Sequence, residues 1–395
     1  MRIGINAYFL RYPYTGTGTY LRELVAALSR AEPEYRLRLY VPRGVVTLDA
    51  APKGHDLRMV PMPAGAAGHW GKLLFEQLLF PRTALNDGCD VIHVPYFAPS
   101  WLGASIVVTT IHDLIPIVLP QYRHGPLAGA YAMLTASAAR CSACILCDSA
   151  WTKRDVVQRL RVPSKRVRVV HLAASSMCAT VSEERLTEVR RRYGLPESYI
   201  LYYASFDRRK SVDVLLRAYA RLRAELPEVP DLVLAGRLPR RASPALLDPR
   251  PLIEALGQSD RVRMIGAFGE SDKAPLLAGA TLFAFPSMYE GFGLDPLEAM
   301  ACGVPVVGTR AASIPEVCEG AALLVRPGDE RDLAAGMALL LRDERLRGEL
   351  RDKGLARAAQ FSWHKTALAT VAVYREVATA RMSSSGTRRC STLDS

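Results

Sequence analysis

Short apolar runs that fit buried strands alternate along this sequence with longer segments of helical periodicity. Such alternation is typical of parallel sheets, because the crossover between two parallel strands is usually a helix. In the first half, the predicted strands lie near residues 2–7, 36–41, 90–94, 105–110, 143–148 and 167–170. The predicted helices between them lie near residues 18–29, 71–80, 126–140 and 151–160. The first half therefore predicts an α/β domain with a parallel sheet.

A second series of the same kind follows a small and polar segment, 173–185, which we interpret as a linker. Its predicted strands lie near residues 199–205, 231–235, 262–266, 281–286, 304–308 and 322–325. Its predicted helices lie near residues 211–225, 271–278, 296–302 and 330–342. The 395 residues suffice for two domains of ordinary size. The sequence thus predicts two doubly wound domains, with a ligand crevice between them at the carboxyl ends of the strands.

These patterns set the predicted limits of each part. The N-terminal domain spans residues 1–180 and the C-terminal domain spans residues 186–362. Residues 363–380 form an amphipathic helix, and the polar tail 381–395 is predicted to be disordered.

The net charge is +12, from 51 basic and 39 acidic residues. A basic surface suits an anionic ligand or membrane face, but the arginines are scattered along helices, and we favour the interpretation that they form a solvated surface. The sequence contains no helix-turn-helix pattern, zinc-finger spacing or alternation of basic and aromatic residues, so nucleic acid is not a predicted partner. The chain opens on a strand pattern rather than a signal peptide. Its most apolar stretch is interrupted by His112, Asp113, Pro116 and Pro120. We therefore expect a cytoplasmic protein, and peripheral association with the inner membrane face stays open.

Three of the eight cysteines, Cys141, Cys144 and Cys147, have a spacing that could begin a zinc or iron–sulfur site. The alternative is packing of small residues where a helix leads into a buried strand. A metal would need a fourth ligand from elsewhere, and the sequence has no second cysteine pair. We therefore favour packing and predict no metal.

The stretch YEGFGLDPLE, residues 289–298, follows the apolar run 282–285. Asp295 followed by Pro296 fits a helix start, with the carboxylate as N-cap and proline in the first helical position. Glu298 would then occupy the capping-box position three residues later.

Helix capping does not explain Glu290 or the glycines Gly291 and Gly293. These glycines lie between a strand end and a helix start, where free backbone N–H groups favour an anion and a ligand can approach the main chain closely. A carboxylate on each side could bind hydroxyl groups. The stretch therefore suggests a sugar–nucleotide site.

Two cations, Arg209 and Lys210, stand at the head of a predicted helix, where the helix dipole disfavours positive charge. Fixed cations can neutralise the negative charge that develops on a diphosphate leaving group. Their position makes them candidates for that role.

The block from Glu290 to Glu298, within FPSMYEGFGLDPLEAMACGVPVV, closely resembles the motif of the family 4 retaining glycosyltransferases. The resemblance extends to about residue 380. It implies the α/β GT-B fold, in which two Rossmann-like domains face an interdomain cleft. It also implies that the final helix crosses back to the N-terminal domain. The donor, a UDP- or GDP-sugar, would bind the C-terminal domain, and most of the acceptor would bind the N-terminal domain.

The resemblance assigns roles within the motif. Glu298 would hold the ribose hydroxyls, and Glu290 would contact the sugar hydroxyls beside the backbone of Gly291, Phe292, Gly293 and Leu294. Arg209 and Lys210 would bind the diphosphate. The sequence departs from the family pattern at Ala204, usually glycine, and at Ser211, usually asparagine or glycine. These departures leave open whether Arg208 or Arg209 fills the arginine role.

Other motifs agree in order and spacing. The resemblance implies that His112 reaches the donor sugar and that Gly18 approaches the donor phosphates and the acceptor. Gly236 and Arg237 would lie near the nucleotide base. We interpret a further set as fold-supporting or acceptor-side positions: Glu76, His93, Asp148 and Ser149.

The implied activity is retaining sugar transfer to a hydroxyl of a glycan, a lipid-linked or a secondary-metabolite acceptor. A front-face mechanism would need neither metal nor cofactor. Two alternatives stay open, namely a nucleotide-sugar epimerase of the same fold and a non-catalytic partner subunit.

Overall fold

The computed structural model describes all residues except 13–14, 45–55, 65–67, 123–124, 176–180, 227, 242 and 391–395, with the backbone alone at 125–127 and 383–390. The chain divides into two compact units. The first consists of Met1–Leu172 and Trp363–Ser395, and the second of Ala173–Ser362.

The first unit contains a parallel sheet of seven strands. These are β1 (Arg2–Asn6), β2 (Arg36–Pro42), β3 (Asp56–Val60), β4 (Val91–Val94), β5 (Val107–Ile111), β6 (Cys144–Cys147) and β7 (Val167–Val169). Their order across the sheet is β3-β2-β1-β4-β5-β6-β7. The helices are α1 (Gly16–Ala31), α2 (Gly68–Leu74), α3 (Phe80–Asn86), α4 (Ile115–Val118), α5 (Gly125–Ala139) and α6 (Ala150–Leu160). A π-helical turn, Phe75–Leu79, joins α2 to α3.

The second unit contains a parallel sheet of six strands. These are β8 (Tyr199–Tyr203), β9 (Asp231–Ala235), β10 (Val262–Gly266), β11 (Leu282–Phe285), β12 (Val306–Thr309) and β13 (Leu323–Val325). Their order is β10-β9-β8-β11-β12-β13. The helices are α7 (Glu183–Tyr193), α8 (Val212–Glu225), α9 (Arg250–Ala255), α10 (Glu270–Ala278), α11 (Leu294–Ala301), α12 (Ile314–Cys318), α13 (Glu330–Arg342) and α14 (Glu344–Ala358). The last helix of the chain, α15 (Trp363–Cys390), belongs to the first unit.

These two sheets confirm the predicted α/β class with two Rossmann-like domains. All predicted strands are present, and the structure adds β3 at the edge of the first sheet. Its sequence, DLRMV, alternates exposed and partly buried positions, so it lacks the continuous apolar run of a central strand. In the part of the chain that the structure describes, no helix is both long and apolar enough to cross a bilayer.

The limits of helices α7 and α15 differ from the sequence prediction. Helix α7 begins inside the predicted linker, because the Ser182 hydroxyl accepts a hydrogen bond from the Arg185 amide and caps the helix. Helix α15 continues to Cys390, beyond the predicted end at residue 380. The predicted tail therefore begins with helical backbone, although its polar composition suggested disorder.

Helix α15 packs against α1, and a chain of buried hydrogen bonds ties it to the sheet of the first unit. The Tyr374 hydroxyl lies 2.6 Å from His93 Nδ1 on β4, and His93 Nε2 lies 2.9 Å from Thr110 Oγ1 on β5. Thr110 Oγ1 in turn lies 2.9 Å from the Tyr20 hydroxyl on α1. Burial, with the neighbouring His112, lowers the pKa of His93 to about 3, so the ring is neutral. The network thus depends on neutral hydrogen bonds rather than on charge.

Replacing Tyr374 with Phe should lower the free energy of unfolding by about 1–3 kcal/mol, because the buried His93 Nδ1 loses its partner. Urea denaturation of the full chain measures this change. Tyr12→Phe is the matched control, since Tyr12 is 42% exposed and its loss should change little. Equal stability of both variants and the parent protein would contradict the proposed importance of this network.

Candidate active site

Most of the predicted site residues lie in the second unit, after the carboxyl ends of its central strands. Strand β8 lies between β9 and β11 in a parallel sheet, so the segments that follow these strands emerge at the same edge. Arg209 and Lys210 follow β8, and Glu290 follows β11. The topology therefore brings these residues together although they are distant in sequence.

Arg209, Lys210, Glu290 and Asp295 form a compact charged cluster. Lys210 Nζ lies 2.8 Å from Glu290 Oε1 and 2.9 Å from Asp295 Oδ2. Arg209 Nη1 lies 2.9 Å from Glu290 Oε1. Arg208 is exposed, and it is Arg209 that faces the carboxylate. Arg209 therefore belongs to this cluster and Arg208 does not, and which of the two binds a diphosphate stays a prediction.

A tight backbone turn places the two cations. Residues Arg208–Lys210 form a single 3-10 turn, capped by the Asp207 carboxylate, which accepts a hydrogen bond from the Arg209 amide at 3.0 Å. Ser211 then adopts a left-handed conformation, with φ 51° and ψ 43°, before α8 begins. A non-glycine residue in this conformation costs about 1–3 kcal/mol. The strain gives a physical reason for the glycine or asparagine expected at this position.

The environment of Glu290 keeps its carboxylate ionised. Burial alone would raise its pKa, but the charges of Arg209 and Lys210 and the hydrogen bonds from Lys210 and Ser287 lower the pKa to about 2. The Ser287 hydroxyl donates to Glu290 Oε1 at 2.5 Å. Burial would lower the pKa of Lys210, but Asp295 and Glu290 outweigh it and raise the pKa. Glu290 and Lys210 are therefore both charged at neutral pH.

The capping prediction for this stretch was wrong. Helix α11 begins at Leu294, with Gly293 at the N-cap and a φ of 104° that favours glycine. Asp295 therefore lies in the first helical turn, and its carboxylate accepts a hydrogen bond from Lys210 instead of capping the helix. Pro296 is tolerated because first-turn N–H groups lack helical partners. Glu298 is consequently not in a capping box.

The buried Glu298, 1% exposed, has two polar partners. Lys273 Nζ lies 2.9 Å from Glu298 Oε1, and the Tyr203 hydroxyl donates to Oε2. Lys273 also lies 2.7 Å from Glu270. Burial raises the pKa of Glu298, and Lys273 and Tyr203 only partly oppose this effect. The sequence analysis did not predict Lys273 or Tyr203 as partners of Glu298. Tyr203 could have been suspected because it ends β8, the strand that pairs with β11 next to the motif.

The loop that contains Gly291 and Gly293 is held by hydrogen bonds from a serine. Ser313 Oγ lies 2.9 Å from the Glu290 carbonyl oxygen and 2.7 Å from the Phe292 carbonyl oxygen. Gly291, Phe292 and Gly293 are buried, whereas Leu294 is partly exposed. The Phe292 ring packs edge-on against Phe361, at 5.8 Å between ring centroids. Since this side chain is used in packing, a ligand would meet the loop through its backbone.

Gly236 lies directly after β9, where two strand ends approach closely. A Cβ atom on Gly236 would lie 2.1 Å from the Ala204 carbonyl oxygen, so no larger residue fits without displacing the backbone. Arg237 beside it is exposed. The packing of β8 against β9 is therefore sufficient to require Gly236.

His112 and Gly18 belong to the first unit. His112 Nδ1 lies 2.7 Å from Asp148 Oδ2, and Nε2 lies 3.1 Å from the Pro95 carbonyl oxygen. Burial would lower the pKa of His112, but Asp148 outweighs it and raises the pKa, which fits two N–H groups that each face an acceptor. The Gly18 amide donates to Thr15 Oγ1 at 3.1 Å and so caps α1.

The remaining positions of interest have local partners. Ser149 caps α6 by accepting a hydrogen bond from the Thr152 amide at 3.1 Å. Cys144 and Cys147 are buried on β6, and Cys141 is exposed. Outside the undescribed segments, no group of three or more His, Cys, Asp or Glu side chains is arranged to hold a metal ion. The absence of a required metal stays a prediction.

Two protein-family models match this chain. The model described as glycosyl transferases group 1 matches residues 187–357, and the model described as glycosyltransferase family 4 matches residues 14–175. The first match lies within the second unit, and the other covers most of the first unit and ends just past its boundary at Leu172.

Curated and solved proteins agree with these matches. The O-antigen chain mannosyltransferase B of Escherichia coli is 31% identical over 93% of this chain and 97% of its own length. The sucrose-phosphate synthase structure from Thermosynechococcus elongatus has a TM-score of 0.74 and 22% identity, covering 96% of this chain and 100% of that one. The structure of HepE from Anabaena, in complex with UDP and glucose, has a TM-score of 0.71 and 18% identity, and the match covers 95% of this chain and 100% of that one. The chain therefore belongs to the family 4 glycosyltransferases, and its fold is GT-B.

Proposed function

We propose that this glycosyltransferase moves a sugar from a UDP- or GDP-sugar to a hydroxyl of a glycan, lipid-linked or small-molecule acceptor, with retention at the anomeric carbon. Similarity to an O-antigen chain mannosyltransferase favours mannose as the sugar and a polysaccharide as the acceptor. The observation that carries the proposal is the buried cluster of Arg209, Lys210, Glu290 and Asp295, with Glu298 one helix turn beyond. A cytoplasmic location, with or without contact to the inner membrane face, belongs to the same proposal.

The diphosphate of the donor would bind Arg209 and Lys210. Both cations are held in place by Glu290, and Lys210 is also held by Asp295. Preorganised cations stabilise developing negative charge without reorganising during the reaction. This arrangement supports departure of the diphosphate without a metal ion.

Glu290 has one oxygen available for the donor sugar. Its Oε1 receives Arg209, Lys210 and Ser287, whereas its Oε2 has no partner among the described residues. A carboxylate oxygen can accept a hydrogen bond from a sugar hydroxyl, at a net gain of about 1.5–3 kcal/mol. We therefore assign Glu290 Oε2 to a hydroxyl of the transferred sugar.

The acceptor hydroxyl oxygen would attack the anomeric carbon on the face from which the diphosphate departs. The bond between that carbon and the phosphate oxygen breaks, and its electron pair stays on the phosphate. The same phosphate oxygen takes the proton of the acceptor hydroxyl. The configuration is retained because attack and departure occur on the same face of the anomeric carbon. The pKa of Glu290, lowered to about 2, makes this carboxylate a poor base and supports the phosphate as proton acceptor.

Glu298→Gln should weaken binding of UDP or GDP by about 1.5–3 kcal/mol, or about ten- to hundredfold, if the carboxylate holds the ribose hydroxyls. Calorimetric titration without metal measures this change. Glu270→Gln is the matched control, because it removes the other carboxylate of Lys273 and leaves Glu298 in place. Unchanged affinity in Glu298→Gln would exclude the ribose role.

Arg209→Ala should lower kcat by about 10²–10³-fold, the usual cost of losing one group that stabilises transition-state charge. Arg208→Ala should change kcat by less than about threefold, because its side chain is exposed outside the cluster. Steady-state rates with a fixed donor test this difference, with melting curves to check folding. Similar losses in both variants would refute the diphosphate assignment. Lys210 is less suitable for this test, since its removal leaves two carboxylates without their shared cation.

Transfer should continue unchanged in EDTA, because fixed cations rather than a metal ion would neutralise the diphosphate. The measurement is product formation in buffer containing excess chelator, compared with buffer supplemented with Mg²⁺ or Mn²⁺. Complete loss in EDTA, with recovery on addition of one divalent ion, would overturn the metal-independent mechanism.

A further inference from the structure

Lys273 on α10 places an ammonium in a largely buried position of the second unit, and it has no role in the proposed function. Its Nζ lies 2.9 Å from Glu298 Oε1 and 2.7 Å from Glu270 Oε1. The Glu298 carboxylate accepts a further hydrogen bond from the Tyr203 hydroxyl at the end of β8. Three elements therefore contribute polar groups around one carboxylate, namely β8, α10 and α11.

Folding gives little reason for a cation at this position. A buried ion pair is costly to remove from water, and replacing such a pair with well-packed neutral side chains is often neutral or stabilising. Lys273 also lies near the start of α10, which begins at Glu270, and the helix dipole disfavours positive charge at that end. These costs point to a role of Lys273 in binding a ligand rather than in folding.

Lys273 is the member of the ion pair that reaches the surface. Its side chain is 13% exposed, against 1% for that of Glu298. An ammonium has three N–H donors, and the contacts with Glu298 and Glu270 use two of them within the described chain. A ligand that reaches Glu298 from solvent is therefore close to the ammonium, which has one N–H group left for it.

The ion pair presents a hydrogen-bond donor and an acceptor side by side, because Lys273 Nζ and Glu298 Oε1 are 2.9 Å apart. Two hydroxyl groups on adjacent ring carbons present their oxygens at a similar spacing. Each hydroxyl can both donate and accept a hydrogen bond. One hydroxyl oxygen can thus accept from Lys273 while the adjacent hydroxyl donates to Glu298.

The local charge favours neutral hydroxyl groups over a phosphate as the ligand of Lys273. Burial would lower the pKa of Lys273, but the charges of Glu298 and Glu270 outweigh it and raise the pKa, so the ammonium is charged at neutral pH. One cation with two carboxylate partners has a net charge of −1. A phosphate would therefore meet excess negative charge here, whereas the four-residue cluster that follows β8 and β11 has as many cations as carboxylates.

We propose that Lys273 binds the donor directly, by donating a hydrogen bond to one ribose hydroxyl oxygen while the adjacent ribose hydroxyl donates to Glu298. This assignment rests on the proposed function, in which Glu298 holds the ribose. It makes Lys273 a specificity-determining residue, because polar groups built to bind a hydroxyl are left unpaired by an analogue that lacks it.

Titration with UDP, GDP and their 2′,3′-dideoxy analogues, followed by ligand-observed NMR that also covers weak binding, tests the proposal. Removing Lys273 alone would leave Glu298 buried without its cation, so the substitution is made in the Glu298→Gln variant. Lys273→Met in this background should raise the Kd of the ribonucleotide by about a further tenfold, the lower end for a hydrogen bond with a charged donor. The Kd of the dideoxy analogue should not change.

Lys353→Met in the same background is the matched control, because Lys353 is exposed on α14. It should leave both Kd values unchanged. The proposal is overturned if the two lysine variants bind the ribonucleotide alike, since Lys273 would then only neutralise Glu298. It is also overturned if Lys273→Met weakens the dideoxy analogue as much as the ribonucleotide, since the effect would then not depend on the hydroxyl groups.

Titration of the parent protein separates this proposal from the proposed function. If the parent protein binds UDP or GDP but Lys273→Met has no effect, the ribose assignment of Lys273 fails and the proposed function stands. If the parent protein binds neither nucleotide, the proposed function fails, and the assignment of Lys273 fails with it.

Discussion

The balance of charge among Arg209, Lys210, Glu290 and Asp295 is the interaction on which the site of the second unit depends. Charged groups removed from water are costly when isolated, and each of these lies within 2.9 Å of an opposite charge. The parallel sheet makes this possible, because β8 and β11 are neighbours and end at the same edge. One strand end supplies two cations and the other supplies two carboxylates. Chain topology, rather than local sequence, therefore assembles the cluster.

Two buried glutamates, Glu290 and Glu76, are both neutralised by cations but differ in how their oxygens are used. Glu290 binds both of its cations through Oε1, and this arrangement is the one on which its proposed contact with the donor sugar rests. Glu76 has both oxygens occupied by Lys72 and two tyrosine hydroxyls, so it holds these three side chains in place. The first carboxylate thus fixes two cations, and the second fixes one cation and two tyrosines.

Strong periodicity made the strands and most helices predictable, whereas side-chain partners were not. The edge strand β3 lacked an apolar run, and the start of α11 depended on the positive φ of Gly293, which favoured an earlier helix start than the Asp–Pro pair suggested. The motif identified Glu298 but gave no indication of Lys273 or Tyr203, which come from other elements. The sequence could identify site residues that lie within one motif. It could not identify contacts between distant segments, because the sheet brings those segments together only in the folded chain.

The π-helical turn at Phe75–Leu79 has a consequence for how this unit can vary. One extra residue in a helical turn rotates all that follows by about 100° relative to an uninterrupted α-helix. Helix α2, before the turn, presents Trp70 and Lys72 to a cavity of the first unit. Helix α3, after the turn, buries Phe80 and Ala84 in the core. Deleting a single residue here would force one of these two faces out of register. Substitutions on the cavity face, in contrast, leave the core face untouched, so the cavity wall and the core can change independently along one continuous helical segment.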